Sequence, residues 1–149
     1  MGYTNYWYTK PELKKAQFSS FAKDVKALLA KADVPLAFEY DQTDKPPQID
    51  NEVVRFNGHG ENGHETFMLT RKTEVSGYSS IKKMAFAFCK TARKPYDKYV
   101  TACLILAKKH FGKDIQVSSD GEMSDWQEGK KLAEQVVGKE IKFELENGE

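Results

Sequence analysis

The chain has 149 residues, which is enough to bury one hydrophobic core but short for two, so we predict a single globular domain spanning residues 1–149. Its 23 basic and 22 acidic residues leave a net charge of +1, which argues against a protein that binds long nucleic acids through charge. No apolar run is long enough to cross a membrane, and two cysteines are too few for a disulfide framework. The first residues, MGYTNY, lack the pattern of a secretory signal, so we expect the protein in the cytosol.

The first half of the chain predicts one long helix and four strands. Aromatic and β-branched residues favour a strand at 3–9, and apolar residues at helical spacing favour a helix that begins at Pro11 and ends near Ala32. A short strand is predicted at 34–40, and the paired prolines that follow indicate an exposed loop at 41–51. The segments EVVRFNG and ETFMLTR flank the glycine-rich GHGENGH, a pattern that is typical of a hairpin with a long tip.

The second half predicts two helices and three strands. Its predicted elements are an irregular stretch at 72–80, strands at 83–90, 114–119 and 140–145, and helices at 95–112 and 124–137. Ser124 is the expected N-cap of the last helix, and Gly138 is expected to stop it. The order of elements predicts an α+β (mixed α/β) fold in which a mixed β-sheet is covered by about three helices.

Two polar segments follow predicted strands and are expected to meet. CKTARKPYD comes after the strand at 83–90, and SSDGEMSDW comes after the strand at 114–119. If these strands are parallel and joined by the helix between them, both segments leave the sheet at one edge. Ligands bind outside the carboxyl ends of such strands, where helix N-termini offer free N–H groups.

The residues of these segments suit an anionic ligand. Lys90, Arg93 and Lys94 supply charge and Thr91 supplies a hydroxyl, which together favour a phosphate or a carboxylate. Asp120 is expected to face the same crevice and to accept a hydrogen bond from a ribose hydroxyl, a base edge or a lysine. The alternative interpretation is a strand-to-helix turn that its charges keep solvated.

Charge is distributed unevenly around this crevice. Residues 90–113 contain seven basic residues and one acid, giving +6, whereas residues 114–149 contain ten acids and four lysines, giving −6. Such local asymmetry favours a small anionic ligand, or a self-complementary contact in a homo-oligomer, over a long polyanion.

Aromatic residues are concentrated near the ends of the proposed crevice. Bases stack on such rings while lysine and arginine take the phosphates, and this division of labour needs no catalytic residue. The predicted ligand-binding residues are Tyr6, Trp7, Asn57, Lys90, Thr91, Arg93, Lys94, Tyr96, Asp120 and Trp126.

Catalytic and metal-binding patterns are incomplete. His64 and Glu65 offer a base and a carboxylate, and with Asp120 they are the candidate catalytic residues of a hydrolase. His59 and His64 could ligate a metal, but HETFM is not the HExxH of a zincin, so no metal site is predicted. Walker and Rossmann glycine patterns are absent, and we expect no cofactor. Cys89 lies beside basic residues that lower a thiol pKa, although a packed cysteine at a strand end is the competing interpretation.

Several motifs occur together in this order: GYTNYW, FNG followed by HETF, FCKTARKPYD, and SSDG before DW. In these motifs the chain resembles a family of uncharacterised proteins from bacteriophage and bacterial genomes. The resemblance implies a viral setting, in which the protein would act in the cytoplasm of the host cell. It implies no particular chemistry or fold.

The sequence therefore leads to one main hypothesis and two alternatives. The main hypothesis is a binding protein that captures a phosphate-bearing, nucleotide-like small molecule, as a phage anti-defence protein that sequesters a host immune signal would do. The alternatives are a phosphodiesterase or other hydrolase that acts on such a signal, and an inhibitor that binds a protein through its surface charges.

Overall fold

The strands form two antiparallel sheets, and three helices pack against them. A computed structural model describes residues 2–75 and 83–147, and it confirms the α+β class. The strands are β1 (Thr4–Thr9), β2 (Leu36–Ala37), β3 (Gln48–Ile49), β4 (Val53–Gly58), β5 (Phe67–Thr70), β6 (Ala85–Lys90) and β7 (Ile115–Ser119). The helices are α1 (Lys15–Ala30), α2 (Asp97–Phe111) and α3 (Gln127–Val137).

The three-stranded sheet has the order β6-β1-β7. Because β1 is antiparallel to both neighbours, β6 and β7 are parallel to each other, and α2 connects them. This arrangement is a split β-α-β unit with β1 inserted between the parallel strands. The segments that follow β6 and β7 leave the sheet at the end where β1 begins, as the sequence predicts.

The second sheet is built around β4. This strand pairs with β5 over four residues, from Val53 opposite Thr70 to Phe56 opposite Phe67, which confirms the predicted hairpin. Two-residue strands, β2 and β3, also pair with β4, and β3 lies within the segment 41–51 that was predicted to be a loop.

One hydrophobic core joins the two sheets to the helices. Trp7 of β1 packs on Phe67 of β5 with ring centroids 5.2 Å apart, and Phe67 packs on Phe56 of β4 at 5.3 Å. Helix α2 lies in the centre of the core and is buried along most of its length. The helices therefore cover the sheet face that carries Trp7, and the alternate residues of β1 point to the opposite face.

Helix α1 begins at Lys15 and not at Pro11 as predicted. Residues 11–13 run alongside residues 71–73 instead: Leu13 N donates to Arg71 O at 2.8 Å, and Thr73 N donates to Pro11 O at 2.8 Å. Leu13 is fully buried in this extended segment, so its apolar character reflects the core and not a helix face.

The predicted strand at 140–145 is wrong, because residues 139–147 form no regular element. The segment reaches the open edge of β7 mainly through side chains. Val117 N donates to Glu146 Oε1 at 2.9 Å, and Ser119 N donates to Asn147 Oδ1 at 2.8 Å. Between this segment and β7, the one backbone hydrogen bond among the described residues runs from Glu146 N to Val117 O, at 2.7 Å.

The predicted irregular stretch at 72–80 is described only in part, since residues 76–80 lie outside the described residues. Across the described ranges, no helix has the length and apolar character needed to span a bilayer.

Candidate ligand-binding site

Four aromatic side chains lie together on the sheet face opposite the helices. The register sets Phe88 beside Tyr6 and Phe86 beside Tyr8. The rings of Tyr6 and Phe86 are stacked with centroids 6.1 Å apart and planes 20° apart. Phe86 also contacts Tyr8 at 5.0 Å and Phe88 at 5.9 Å, and Phe88 is 52% exposed. We call these four residues the aromatic face.

A polar row lies next to the aromatic face at the end of the sheet. Thr4 is opposite Lys90 in the register, and Asp120 N donates to Thr4 O at 2.9 Å, so Lys90, Thr4 and Asp120 stand side by side. The stem of Lys90 packs over Gly2, where an added Cβ would lie 3.0 Å from Lys90 Cε. Within residues 2–75 and 83–147 the Lys90 ammonium pairs with no carboxylate, so its charge is available to a ligand.

Asp120 is held by the first residues of β1. Its Oδ2 accepts a hydrogen bond from Thr4 N at 3.0 Å, and its Oδ1 accepts one from the Tyr6 hydroxyl at 2.8 Å. Partial burial and the bonded carboxylate both raise the pKa of Tyr6 above its ordinary value. The Tyr6 hydroxyl therefore remains a donor, and Asp120 fixes the ring of Tyr6 within the aromatic face.

The basic turn after β6 lies on the helix side of the same sheet edge. Ala92 and Arg93 both have left-handed backbone, with φ of 52° and 58°. Thr91 N and Ala92 N donate to Tyr3 O at 3.0 and 3.1 Å, which fastens this turn to the beginning of β1. The Arg93 guanidinium lies 4.0 Å above the Tyr3 ring, and its Nη1 is 3.2 Å from Asp125 Oδ1. Arg93 is thus already engaged within the protein.

A cleft of about 280 Å³ opens between the basic turn and the beginning of α3. We call it the helix-side cleft. It is lined by Arg93, Lys94, Pro95, Asp97, Lys98, Asp125, Glu128 and Gly129. Three cationic and three anionic side chains balance each other here, so the cleft differs from the cationic cradle that the sequence predicts. Lys94 is the only cation of the cleft without an ion pair to the described residues.

Asp97 ties the helix-side cleft to the sheet. Its Oδ1 accepts hydrogen bonds from Asn5 Nδ2 at 3.0 Å and from the Thr91 hydroxyl at 2.6 Å. Ser119 Oγ donates to Asn5 Oδ1 at 2.7 Å and extends this network to β7. Burial raises the pKa of Asp97, an effect that the two hydrogen bonds and the nearby Arg93 oppose. Thr91, which the sequence predicts to meet a ligand, is fully buried within this network.

Three of the predicted aromatic ligand contacts are buried in the core. Trp7 packs on the second sheet, Tyr96 donates its hydroxyl to Glu65 O, and Trp126 stacks on Phe143 with centroids 5.5 Å apart. All three are closed to solvent, so a ligand reaches none of them in this conformation. Of the predicted rings, only that of Tyr6 lies on an accessible surface.

Asn57 has a structural role at the tip of the β4–β5 hairpin. Its Oδ1 accepts from Gly58 N at 2.7 Å and from His64 N at 3.1 Å, and its Nδ2 donates to His64 O at 2.9 Å. Gly63 must be glycine here, because a Cβ would lie 2.3 Å from Asn57 Oδ1. Asn57 is fully buried and its hydrogen-bonding capacity is used within the tip, so it offers nothing to a ligand.

The candidate catalytic residues do not assemble. Glu65 Oε1 accepts from Lys90 N at 2.7 Å at the outer edge of β6, whereas Asp120 is bound to β1 on the other side of the sheet. Lys90 of β6 and Asp120, which follows β7, lie on either side of β1, so two strand spacings, about 10 Å, separate the two backbones, and Glu65 is bound on the far side of β6. The exposed imidazole of His64 contacts neither carboxylate, so these three residues form no hydrolytic triad in the described part of the chain.

Cys89 is packed in the core, and His59 and His64 lie at the surface. Cys89 is fully buried, and its pKa is raised to about 12, chiefly because burial penalises the thiolate. Its Sγ donates to Glu65 O at 3.4 Å, which agrees with the packed interpretation. His59 and His64 are exposed at the hairpin tip, and the part of the chain that is described holds no group of three side chains arranged for a metal.

The aromatic face includes two residues, Phe86 and Phe88, that the sequence patterns did not identify as site residues. The signal that could have found them is the alternation in AFAFCK, where two phenylalanines alternate with small residues. Because side chains two apart lie on one face of a strand, both rings belong opposite the buried Ala85 and Cys89.

Comparisons with known proteins add no further information on the site. The chain matches no protein-family model, no curated protein and no solved structure.

Proposed function

We propose that this protein binds a phosphate-bearing, nucleotide-like small molecule on the aromatic face. The observation that carries the proposal is a set of neighbouring rings, of which Phe88 is exposed and Tyr6, Tyr8 and Phe86 are half-buried, that ends at a lysine without an ion pair among the described residues. A base would stack on Phe88 and Tyr6, and the Lys90 ammonium would bind the phosphate. The face is wide enough for one or two bases, since it spans two rows of residues on neighbouring strands.

The position of the phosphate differs from the sequence-based expectation. Arg93 already stacks on Tyr3 and pairs with Asp125, and the helix-side cleft is balanced in charge. Lys90 keeps its charge available on the same side of the sheet as the rings. We therefore assign the phosphate contact to Lys90 and give Arg93 a structural role.

Binding without turnover is favoured over hydrolysis. Asp120 lies apart from His64 and Glu65, and Cys89 is buried as a thiol. The resemblance to bacteriophage proteins favours a host signalling nucleotide as the captured molecule, which the protein would withhold from its host receptor. The alternative of a protein partner on the exposed rings predicts that no nucleotide binds.

Calorimetric titration with AMP, cyclic di-AMP and ADP-ribose tests the proposal. We expect the wild-type protein to bind at least one of them, and Phe88→Ala to weaken that binding by about 1–3 kcal/mol because one stacking surface is lost. Met68→Ala is the matched control, since Met68 is an apolar side chain of similar exposure, 46%, on the second sheet. Recovery of intact ligand after denaturation would separate a binder from a hydrolase. Failure of all three ligands to bind, or equal losses in the two variants, would contradict the proposal.

A further inference from the structure

We propose that Asp120 makes the aromatic face selective for ligands with a single phosphate at the polar row, as in a nucleoside monophosphate, over polyphosphates and nucleic-acid strands. This inference rests on the proposed function and concerns the identity of the ligand. Its basis is the polar row itself, in which a lysine and an aspartate flank Thr4 at the end of one sheet face.

The spacing of this row limits where a phosphate can lie. Lys90 and Asp120 occupy the strands on either side of β1, so their backbones are two strand spacings, about 9.6 Å, apart. A phosphate bound by Lys90 would lie at the surface above Thr4, whose own side chain is buried. A second or third phosphate that extends along the row would approach the Asp120 carboxylate, and like charges at this distance repel each other.

Asp120 also has acceptor capacity left for the ligand. A carboxylate has about four lone-pair positions, and Thr4 N and the Tyr6 hydroxyl occupy two of them. Asp120 is exposed, so the remaining positions face solvent. They suit a donor such as a sugar hydroxyl or a base amino group, and a phosphate oxygen cannot supply that donor.

The surrounding charges disfavour a nucleic-acid strand on the same face. A strand requires a series of cations along its path. Along β1 itself, the next basic residue is Lys10, and its ammonium is 3.2 Å from Asp114 Oδ1. Asp120 therefore adds a negative charge to the row of Lys90 without pairing with it, and Asp114 pairs with Lys10 at the opposite end of β1.

The test is the ratio of the dissociation constants for ATP and AMP, measured by calorimetry without divalent cations at an ionic strength of about 20 mM, where charges are weakly screened. We expect wild-type protein to prefer AMP and Asp120→Asn to shift the ratio about fivefold toward ATP, because the repulsion is removed. Tyr6→Phe is the control: it removes the hydroxyl that Asp120 holds but keeps the charge, so the ratio should not change. A ratio is insensitive to any general weakening of the site, since both ligands are measured on the same variant.

A second measurement needs no variant. Raising the ionic strength to about 300 mM should reduce the preference of the wild-type protein for AMP, because the repulsion is screened. An unchanged ratio in Asp120→Asn, an equal shift in Tyr6→Phe, or a salt-independent preference would overturn the role of Asp120 while the binding function stands. If the wild-type protein binds neither AMP nor ATP, nor any ligand of the panel above, the proposed function itself fails.

Discussion

Asp97 is a carboxyl group that folding removes from water at the beginning of α2. Asn5 and Thr91 donate hydrogen bonds to it, yet burial has the larger effect and raises its pKa above the ordinary 3.8. The folded protein therefore favours the protonated form more than the unfolded chain does. Asp97 contributes most to stability at low pH, and this contribution is lost as the pH rises through its folded pKa.

Asp97→Asn should remove this pH dependence. Asparagine keeps an oxygen at the position of Oδ1 to accept from Asn5 and Thr91, but it carries no charge. We expect the free energy of unfolding of the variant to increase relative to that of the wild type as the pH rises from about 4 toward neutrality. Urea denaturation of both proteins across this pH range measures the difference. If the variant instead loses stability relative to the wild type with rising pH, the buried carboxylate is stabilising and its folded pKa is lowered.

At the scale of elements, the entry into α3 shows how a turn is fixed by the carboxylate of Asp125. A 3-10 turn (Met123–Trp126) precedes the helix, and Glu122 precedes that turn. Asp125 Oδ2 accepts from Glu122 N at 2.8 Å, and Asp125 N donates to Glu122 O at 2.8 Å. Ser124, the predicted N-cap, is exposed and holds no backbone N–H among the described residues, so that prediction is wrong.

Asp125→Ala should therefore lower the free energy of unfolding by about 1 kcal/mol, because a charge-assisted hydrogen bond to the backbone is lost. Ser124→Ala is the matched neighbour and should be nearly neutral. The hydrogen bond from Glu122 N and the nearby Arg93 lower the pKa of Asp125, so its contribution is present above the ordinary carboxyl pKa and is lost in acid. Thermal denaturation of the two variants near neutral pH is the measurement, and a larger effect of Ser124→Ala would restore Ser124 as the cap.

Elements with strong periodicity were predictable from the sequence, and elements that depend on partners distant in sequence were not. The repeated apolar spacing of α2 and the hairpin pattern of β4 and β5 both follow from local chemistry. The start of α1 and the absence of a strand at 140–145 do not. Residues 11–13 are hydrogen-bonded to residues 71–73 and so do not join the helix. In the C-terminal segment, the side chains of Glu146 and Asn147 accept hydrogen bonds from the backbone of β7.

At the scale of the whole molecule, the sequence predicts the sheet edge where β6 and β7 end but not the face on which we propose that the ligand binds. The edge follows from the parallel direction of two strands joined by α2. The division between faces depends on which strand residues the helices cover, and this separates Lys90 and Tyr6 from Arg93 and Lys94. Tyr96 and Trp126 lie on the side that the helices cover, so both are buried in the core and are not part of the aromatic face.

Lys90 and Lys94 provide a direct comparison of the two faces, because both are lysines without an ion pair among the described residues and only four positions separate them in the chain. Calorimetric titration of Lys90→Gln and Lys94→Gln with the tightest-binding nucleotide tests most directly whether the ligand lies on the aromatic face. We expect Lys90→Gln to weaken binding by about 1.5–3 kcal/mol, since a charge-assisted hydrogen bond to phosphate is lost, and Lys94→Gln to leave the affinity nearly unchanged. The opposite result, a loss in Lys94→Gln with Lys90→Gln unaffected, would contradict this placement and assign the ligand to the helix-side cleft.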